Sequence, residues 1–440
     1  VQTSYAKELI RKFENHQAQV GVIGLGYVGL PMAFLAASQG HKVVGIELNT
    51  ERVDLVNRGE SYILDVSGEE LKPYVVSGAI RATADYAALS DVDVVLITVP
   101  TPLGKTGDPD MSFILDAIKY MEPHLHPGML IALESTTYPG TTEDLFIPMT
   151  KRAGLNVGEN IFLAFSPERV DPGNPKYGTR NTPKVVGGIT SACTDVVTAY
   201  YASVVDHVVP VASTTAAEMV KLYENTFRAI NIGLVNELAI ICNLLKVDVW
   251  EIVKAASTKP FGFMAFYPGP GLGGHCIPVD PSYLAWRMRS LQYKTRFIDL
   301  ATEINTKMPE YVVTRSMELL NDQGKALKGA NVLLLGIAYK NDIDDLRESP
   351  ALDVYELLEQ RGAQVQYHDP YCPVMKTIAG EVKSQSLTSE LLESQDLVII
   401  TTAHRNVDYD LVLNKASLVF DTRNVTRELD NPDGAKVVML

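Results

Sequence analysis

Val20-Gly-Val-Ile-Gly24-Leu-Gly26-Tyr-Val-Gly29-Leu-Pro31 decides the fold of this 440-residue chain. A short apolar run enters a GxGxxG, and a helical pattern follows it. The reading is a buried strand, a tight turn and a helix. Gly24 suits the turn, Gly26 lets the backbone approach a pyrophosphate, and Gly29 lets helix and strand pack closely. Tyr27 and Val28 complete the loop, and the helix N-terminus behind it favours negative charge. A second strand, 43–46, ends at Glu47, about twenty residues on, where a carboxylate grips a ribose hydroxyl. The same charge repels a 2′-phosphate, so NAD is favoured over NADP. Arg52 either stacks near an adenine or lies on a helix surface. The GxGxxG alone is weak evidence; the strand before it and the acid after it make it a dinucleotide fingerprint.

Outward from this stretch, apolar strands recur at 92–98, 129–133 and 161–165 with helical patterns between them. Such alternation predicts a parallel, doubly wound sheet. Val99-Pro-Thr101-Pro and Glu134-Ser-Thr136-Thr follow two of these strands, at the ends that form the ligand crevice of an open α/β sheet. Thr101 and Thr136 are candidates for the nicotinamide ribose and the reacting centre, or for helix capping. Near Thr215 the period changes. Thr215-Ala-Ala-Glu218 reads as a capping box, and a proline-free pattern runs to Leu245. A helix that is apolar nearly all round is predicted to be buried, between domains or against another subunit. A loop rich in glycine and proline, 257–283, interrupts the helical region, which resumes to about residue 320. A second strand and turn, 330–336, then opens a smaller α/β region with a helix near 350–361 and strands at 364–368, 397–401 and 418–420. Ala338 and Asn341 stand where further glycines would fall.

The expected class is α/β, with two Rossmann-like doubly wound domains joined by a long central helix and a small helical domain. The boundaries are 1–212 (with 1–17 a short polar helix or arm), 213–320 and 321–440. A net charge of −14 argues against nucleic acid and anionic membranes as partners. Residues 1–17 lack the apolar core of a signal peptide, and no run of ~18 uninterrupted apolar residues predicts a membrane span. The four cysteines form no CxxC pair, so neither zinc nor a disulfide framework is expected, and no metal. Free thiols suit the cytoplasm.

Cys193, Cys242 and Cys372 read as small buried hydrophobes. Cys276 does not. It stands in Pro268-Gly-Pro-Gly-Leu-Gly273-Gly-His-Cys276-Ile-Pro-Val-Asp280, where glycines let a substrate approach the backbone and N–H groups beside a thiol can stabilise an oxyanion. Lys221 and Asn225 lie four apart on the long helix, hence on one face. Buried there, they require partners: a polyhydroxyl or anionic ligand, or an internal salt bridge through Glu218 or Glu224. Arg228 is one turn further along. Glu168, Arg169 and Val170, in Ser166-Pro-Glu-Arg-Val-Asp-Pro-Gly-Asn174, follow a strand end. The carboxylate suits a base for water, and the guanidinium suits an anion. Tyr339, Lys340 and Arg347 add basic and hydroxyl groups at the second turn.

The ordered set GLGYVGLP, VPTP, SPERVDPGN, KLYEN and PGPGLGGHCIPVDP, with AYKNDIDDLRESP and DTRN behind it, resembles the UDP-glucose/GDP-mannose dehydrogenase superfamily over residues 18–430. The resemblance implies a four-electron oxidation of a nucleotide sugar's primary alcohol by two NAD, through a thiohemiacetal and a thioester. It implies Cys276 as nucleophile, Lys221 in acid/base work, and Asp280 and Asn225 as support. Glu168 takes the hydrolytic role, and Thr136 lies near the nicotinamide. Tyr339 and Lys340 face substrate, together with Arg169, Val170, Arg228 and Gly273. Arg347 faces the cofactor, and Arg423 the nucleotide. It also implies a homodimer through the long helix and surface-polysaccharide biosynthesis. Val279, Lys259-Pro260 and Glu47 depart from the glucose-specific pattern. The motifs are most similar to the acetamido-sugar branch, with UDP-N-acetylglucosamine favoured, UDP-N-acetylmannosamine its rival and UDP-glucose a third possibility. A two-electron hydroxyacid-type dehydrogenase is the alternative that has no need of Cys276.

Overall fold

The structure, a computed structural model, describes residues 3–63, 65–104, 108–170, 174, 176–274, 277–377, 380–431 and 434–440. The chain forms two compact units, Val1–Glu224 with Ser282–Tyr293, and Asn225–Pro281 with Lys294–Leu440.

In the first unit eight strands build one sheet: β1 (Gln19–Ile23), β2 (Lys42–Ile46), β3 (Ile80–Thr83), β4 (Val94–Ile97), β5 (Met129–Leu133), β6 (Ile161–Phe165), β7 (Lys184–Gly188) and β8 (Val208–Val211). Their order is β3-β2-β1-β4-β5-β6-β7-β8. All neighbours are parallel except β6 and β7, where Phe165 faces Gly187. The order reverses between β1 and β4, the switch point at which such sheets take ligands. Strands β4, β5 and β6 are buried along their whole length, as continuous apolar runs of a two-face-covered sheet must be. Sequence patterning missed β3, β7 and β8, which are short and interrupted by a charge, glycines or a proline.

Of the two forms expected for residues 1–17, Ser4–Glu14 takes the helix. Its Ala6, Leu9 and Phe13 enter the hydrophobic core, with Phe13 edge-on to Tyr200. Three apolar residues at helical spacing were enough to dock it, although its mean polarity hid them.

In the second unit β9 (Asn331–Leu335), β10 (Gln364–His368), β13 (Leu397–Ile400), β14 (Leu418–Asp421) and β15 (Lys436–Met439) pair in parallel in the order β10-β9-β13-β14-β15. A hairpin of β11 (Val374–Thr377) and β12 (Gly380–Lys383) stands apart from that sheet. Helix Pro350–Gln360 has proline at its first turn, where the missing N–H costs nothing.

The long helix runs from Thr214 to Leu245. Its start corrects the capping-box reading. Ser213 Oγ accepts from Ala216 N–H at 3.1 Å, while the Glu218 carboxylate turns to another helix. Tyr223, Leu234, Leu244 and Leu245 are each more than half exposed in the single chain. Among the described residues this is the one helix whose length and composition would suffice to cross a membrane, and a third of its most apolar window is buried.

Candidate active site and nucleotide loops

The glycine loop after β1 has the geometry its sequence requires. Gly24 has φ +90, a conformation that L side chains avoid. A Cβ on Gly29 would fall 1.8 Å from the Gly24 carbonyl oxygen. A Cβ on Gly26 meets nothing within 4 Å, so the space over that residue is open. Val28 precedes helix Gly29–Ser38, and no side chain caps its N-terminus. Thr98 Oγ1 ties the loop to β4, donating to the carbonyls of Ile23 at 3.0 Å and Gly24 at 2.7 Å. Glu47 follows β2 directly. Its Oε2 accepts from Leu25 N–H at 3.1 Å and its Oε1 from Asn49 N–H at 3.0 Å. Arg52 lies 3.8 Å from that carboxylate and 5.2 Å over the Tyr62 ring. Tyr27 is exposed. Thr101 is buried, and its carbonyl accepts from Tyr283 Oη at 2.8 Å.

At the ends of β5 and β6 the first unit gathers its ionisable groups. Lys221 Nζ donates to Thr136 Oγ1 at 2.5 Å. The suggested salt bridges to Glu218 and Glu224 go elsewhere. Glu224 holds Arg169 in a bidentate pair at 2.6 and 3.1 Å, and Arg169 also donates to the Pro183 carbonyl. Glu218 caps helix Thr141–Arg152 from outside, accepting from Gly140 N–H and from the N–H and hydroxyl of Thr142. Gly140 has no side chain to do so itself. Burial raises the Glu218 carboxyl, against those donors.

Glu168 Oε1 accepts from the N–H groups of Arg169 and Val170, both at 2.8 Å. Its Oε2 accepts from Lys184 at 3.1 Å, and Lys184 also donates to Glu134 at 2.7 Å. Tyr201 Oη donates to the other oxygen of Glu134 at 2.5 Å. Burial works against the charge on Glu168, yet Lys184, the Val170 N–H and Lys221 together hold its carboxyl below the ordinary value. Burial raises that of Glu134, despite Lys184. Sequence reading did not find Lys184. Its only signal was a lysine opening a valine–glycine run.

In the second unit Asn225 Nδ2 donates to Asp280 Oδ2 at 2.5 Å, and Asp280 is 1% exposed. Cys276 and His275 lie outside the described residues. The loop before them does not: Gly274 N–H donates to the Arg347 carbonyl at 3.1 Å. A Cβ on Gly273 or Gly274 would come within 2.7 Å of Tyr339. The two glycines are therefore what lets this loop lie on Tyr339. Arg347 pairs with Asp345 at 2.6 Å. Arg423 Nε donates to the Thr401 carbonyl at 2.9 Å, and desolvation lowers its guanidinium's proton affinity. Arg228 is exposed. Cys193, Cys242 and Cys372 are buried thiols, as expected.

The turn after β9 repeats the first. Gly336 has φ +81, and Thr401 Oγ1 donates to the carbonyls of Leu335 and Gly336. Here the acid after the second strand, Asp369, accepts from both Ile337 N–H at 2.7 Å and Ala338 N–H at 3.2 Å. His404 Nδ1 accepts from Asp342 N–H, so its Nε2 carries the proton shared with Asp369 at 3.0 Å. Burial raises the Asp369 carboxyl, but His404 and the loop amides outweigh it and bring it down to about 2.

Three models of one family match the chain: the NAD binding domain of the UDP-glucose/GDP-mannose dehydrogenase family over 18–205, its central domain over 215–307 and its UDP binding domain over 333–428. The chain is 33% identical to a UDP-N-acetyl-D-mannosamine dehydrogenase of Methanococcus maripaludis, covering 96% of each. It is 35% identical to a UDP-N-acetyl-D-glucosamine 6-dehydrogenase of Pseudomonas aeruginosa, over 80% of this chain and 83% of that one. The solved UDP-D-ManNAc dehydrogenase of Pyrococcus horikoshii is similar with TM-score 0.87 at 31% identity, covering 96% of this chain and 98% of that one.

Proposed function

The chain belongs to the UDP-glucose/GDP-mannose dehydrogenase family, and on that premise we propose that it oxidises the C6 alcohol of a UDP-N-acetylhexosamine to the uronate with two NAD. The observation that carries this reading is the pairing of the long helix's polar residues. Lys221 is bonded to Thr136, and Asn225 to Asp280. Each bond joins two residues to which the resemblance gives a role. NAD, when bound, accepts each hydride, and the glycine loop with Glu47 would hold it. Lys221 Nζ is bonded to the Thr136 hydroxyl; as the neutral amine it can take the alcohol's proton, and the ammonium so formed stabilises the oxyanion that follows. Cys276 holds the aldehyde, and Glu168 serves as base for the water that releases the product.

The relatives support the acetamido sugars and weight the epimer towards manno, because the mannosamine enzymes match over nearly the whole chain. UDP-N-acetylmannosamine is the first substrate to try, and UDP-N-acetylglucosamine the second. The proposed division is a cofactor domain to residue 212, a helical segment 213–320 and a nucleotide-sugar domain from 321. The exposed Leu234, Leu244 and Leu245 support a homodimer along the helix rather than a membrane span, since apolar side chains on a charged helix need cover.

The test supplies excess NAD with limiting UDP-N-acetylmannosamine, UDP-N-acetylglucosamine or UDP-glucose and counts NADH per sugar. Two NADH with an acetamido sugar are expected. One NADH with aldehyde accumulating, or full steady turnover by Cys276→Ser, would return the chain to two-electron chemistry. Preference for UDP-glucose would remove the acetamido assignment.

A further inference from the structure

Lys184 and Glu134 are buried charged groups with no part in the mechanism just proposed. Their side chains are 5% and 0% exposed. Desolvating both is costly, and such a pair is seldom kept for stability alone. The topology explains how the lysine arrives. β7 runs antiparallel to β6, so its first residue lies at the C-terminal ends of β5 and β6. A parallel β7 would have placed Lys184 at the opposite edge.

We infer that Lys184, held from behind by Glu134 and Tyr201, is a positioning residue that keeps Glu168 ionised and fixed for the water-activating step. Every other contact in the cluster fits this arrangement. The backbone N–H groups of Arg169 and Val170 hold Oε1 of Glu168, and Lys184 holds Oε2. Tyr201 occupies the far oxygen of Glu134, so that carboxylate cannot rotate away from the lysine. Among the described residues the charged groups around Glu168 are Lys184 on β7, Glu134 at the end of β5, Lys221 on the long helix and its own neighbour Arg169, which is paired with Glu224. In the step itself water adds its oxygen to the acyl carbon and gives one proton to Glu168. The C–S bond breaks with its electron pair left on sulfur. A carboxylate that already held a proton could not take the water's.

The inference rests on the thioester reading, and its test separates the two. Lys184→Met, Lys184→Arg, Glu134→Gln and Glu168→Gln are each mixed with NAD and nucleotide sugar, followed by NADH in the first turnover, by intact mass and by the pH dependence of steady turnover. Lys184→Met is expected to release a normal first-turnover burst of NADH, to accumulate acyl-enzyme, and to turn over roughly 10²-fold more slowly. The acid limb of its pH profile should move up, because Glu168 has lost a cation. Glu134→Gln should move that limb down, because one carboxylate no longer competes for Lys184. Lys184→Arg should restore turnover. Opposite shifts from the two variants are not the signature of a packing defect. Loss of the burst in step with turnover, or an unmoved acid limb in Glu134→Gln, overturns the inference. If Lys184→Met does not fold, Glu134→Gln and Lys184→Arg decide it alone. If Glu168→Gln gives no acyl-enzyme either, the thioester reading itself has failed.

Discussion

The chain builds the same turn twice and uses its amides differently. After β1 and after β9 a left-handed glycine leaves the strand, and a threonine beyond the neighbouring strand stitches the glycine's carbonyl, Thr98 in one unit and Thr401 in the other. An acid follows the second strand of each. Glu47 takes one loop N–H and stops at Leu25, leaving the space over Gly26 open. Asp369, one methylene shorter, sits deeper and takes two, with His404 locked behind it. A loop whose first amides already serve a buried carboxylate is closed to a pyrophosphate at those amides. Duplication of a fold therefore does not duplicate its ligand, because function resides in which donors are left over.

Removing the lock should have the largest effect. Asp369→Asn sets an amide NH₂ against the N–H groups of Ile337 and Ala338, and the second unit should lose roughly 3 kcal/mol in denaturant unfolding. In the wild type the Asp369 carboxyl lies at about 2, below its unfolded value. Its stabilisation is therefore complete above the unfolded value and is lost as pH falls towards about 2. An unchanged midpoint in the variant would mean that the carboxylate does not hold the loop.

Gly26→Ala sharpens the comparison from the other side. The added methyl meets no protein atom, so the melting temperature should hold while NAD binding, followed by fluorescence titration, weakens about 10²-fold. The mirror substitution Ala338→Gly should confer no NAD binding on the second unit. Unaltered affinity in Gly26→Ala would place the pyrophosphate elsewhere.

The smallest effect is again one of pH. Burial, and then His16, push the His41 imidazole down to about 4. The unfolded chain binds this proton first, so the first unit's stability should fall as pH drops from 6.5 towards 4, by about 1–2 kcal/mol. His41→Gln should flatten that window and leave the Asp369 window below it untouched. Identical acid profiles for the two proteins would exclude His41.

Much of this was legible in the residues. The buried strands β5 and β6, continuous apolar runs bounded by turns, match their predicted spans to the residue, and so does the edge strand β10. The three fingerprint glycines showed the open and closed positions that their spacing implied. Other features were hidden for physical reasons. The first helix buries only one stripe of a polar segment. Glu218 forms a capping-box pattern with Thr215, but the better unsatisfied donors belonged to a helix that starts at a glycine. Lys184 and Glu134 are fifty residues apart, and no local pattern pairs them.

By itself, the sequence determined the two α/β regions and the family, because these depend on periodicity and on side-chain types at fixed spacing. Only the tertiary structure decided which donor meets which acceptor: Lys184 with Glu168, Glu218 with a neighbouring helix, Asp369 with its loop. Hydrogen bonds and buried charges act over about 3 Å. The strand order and the reversed direction of β7 set those distances.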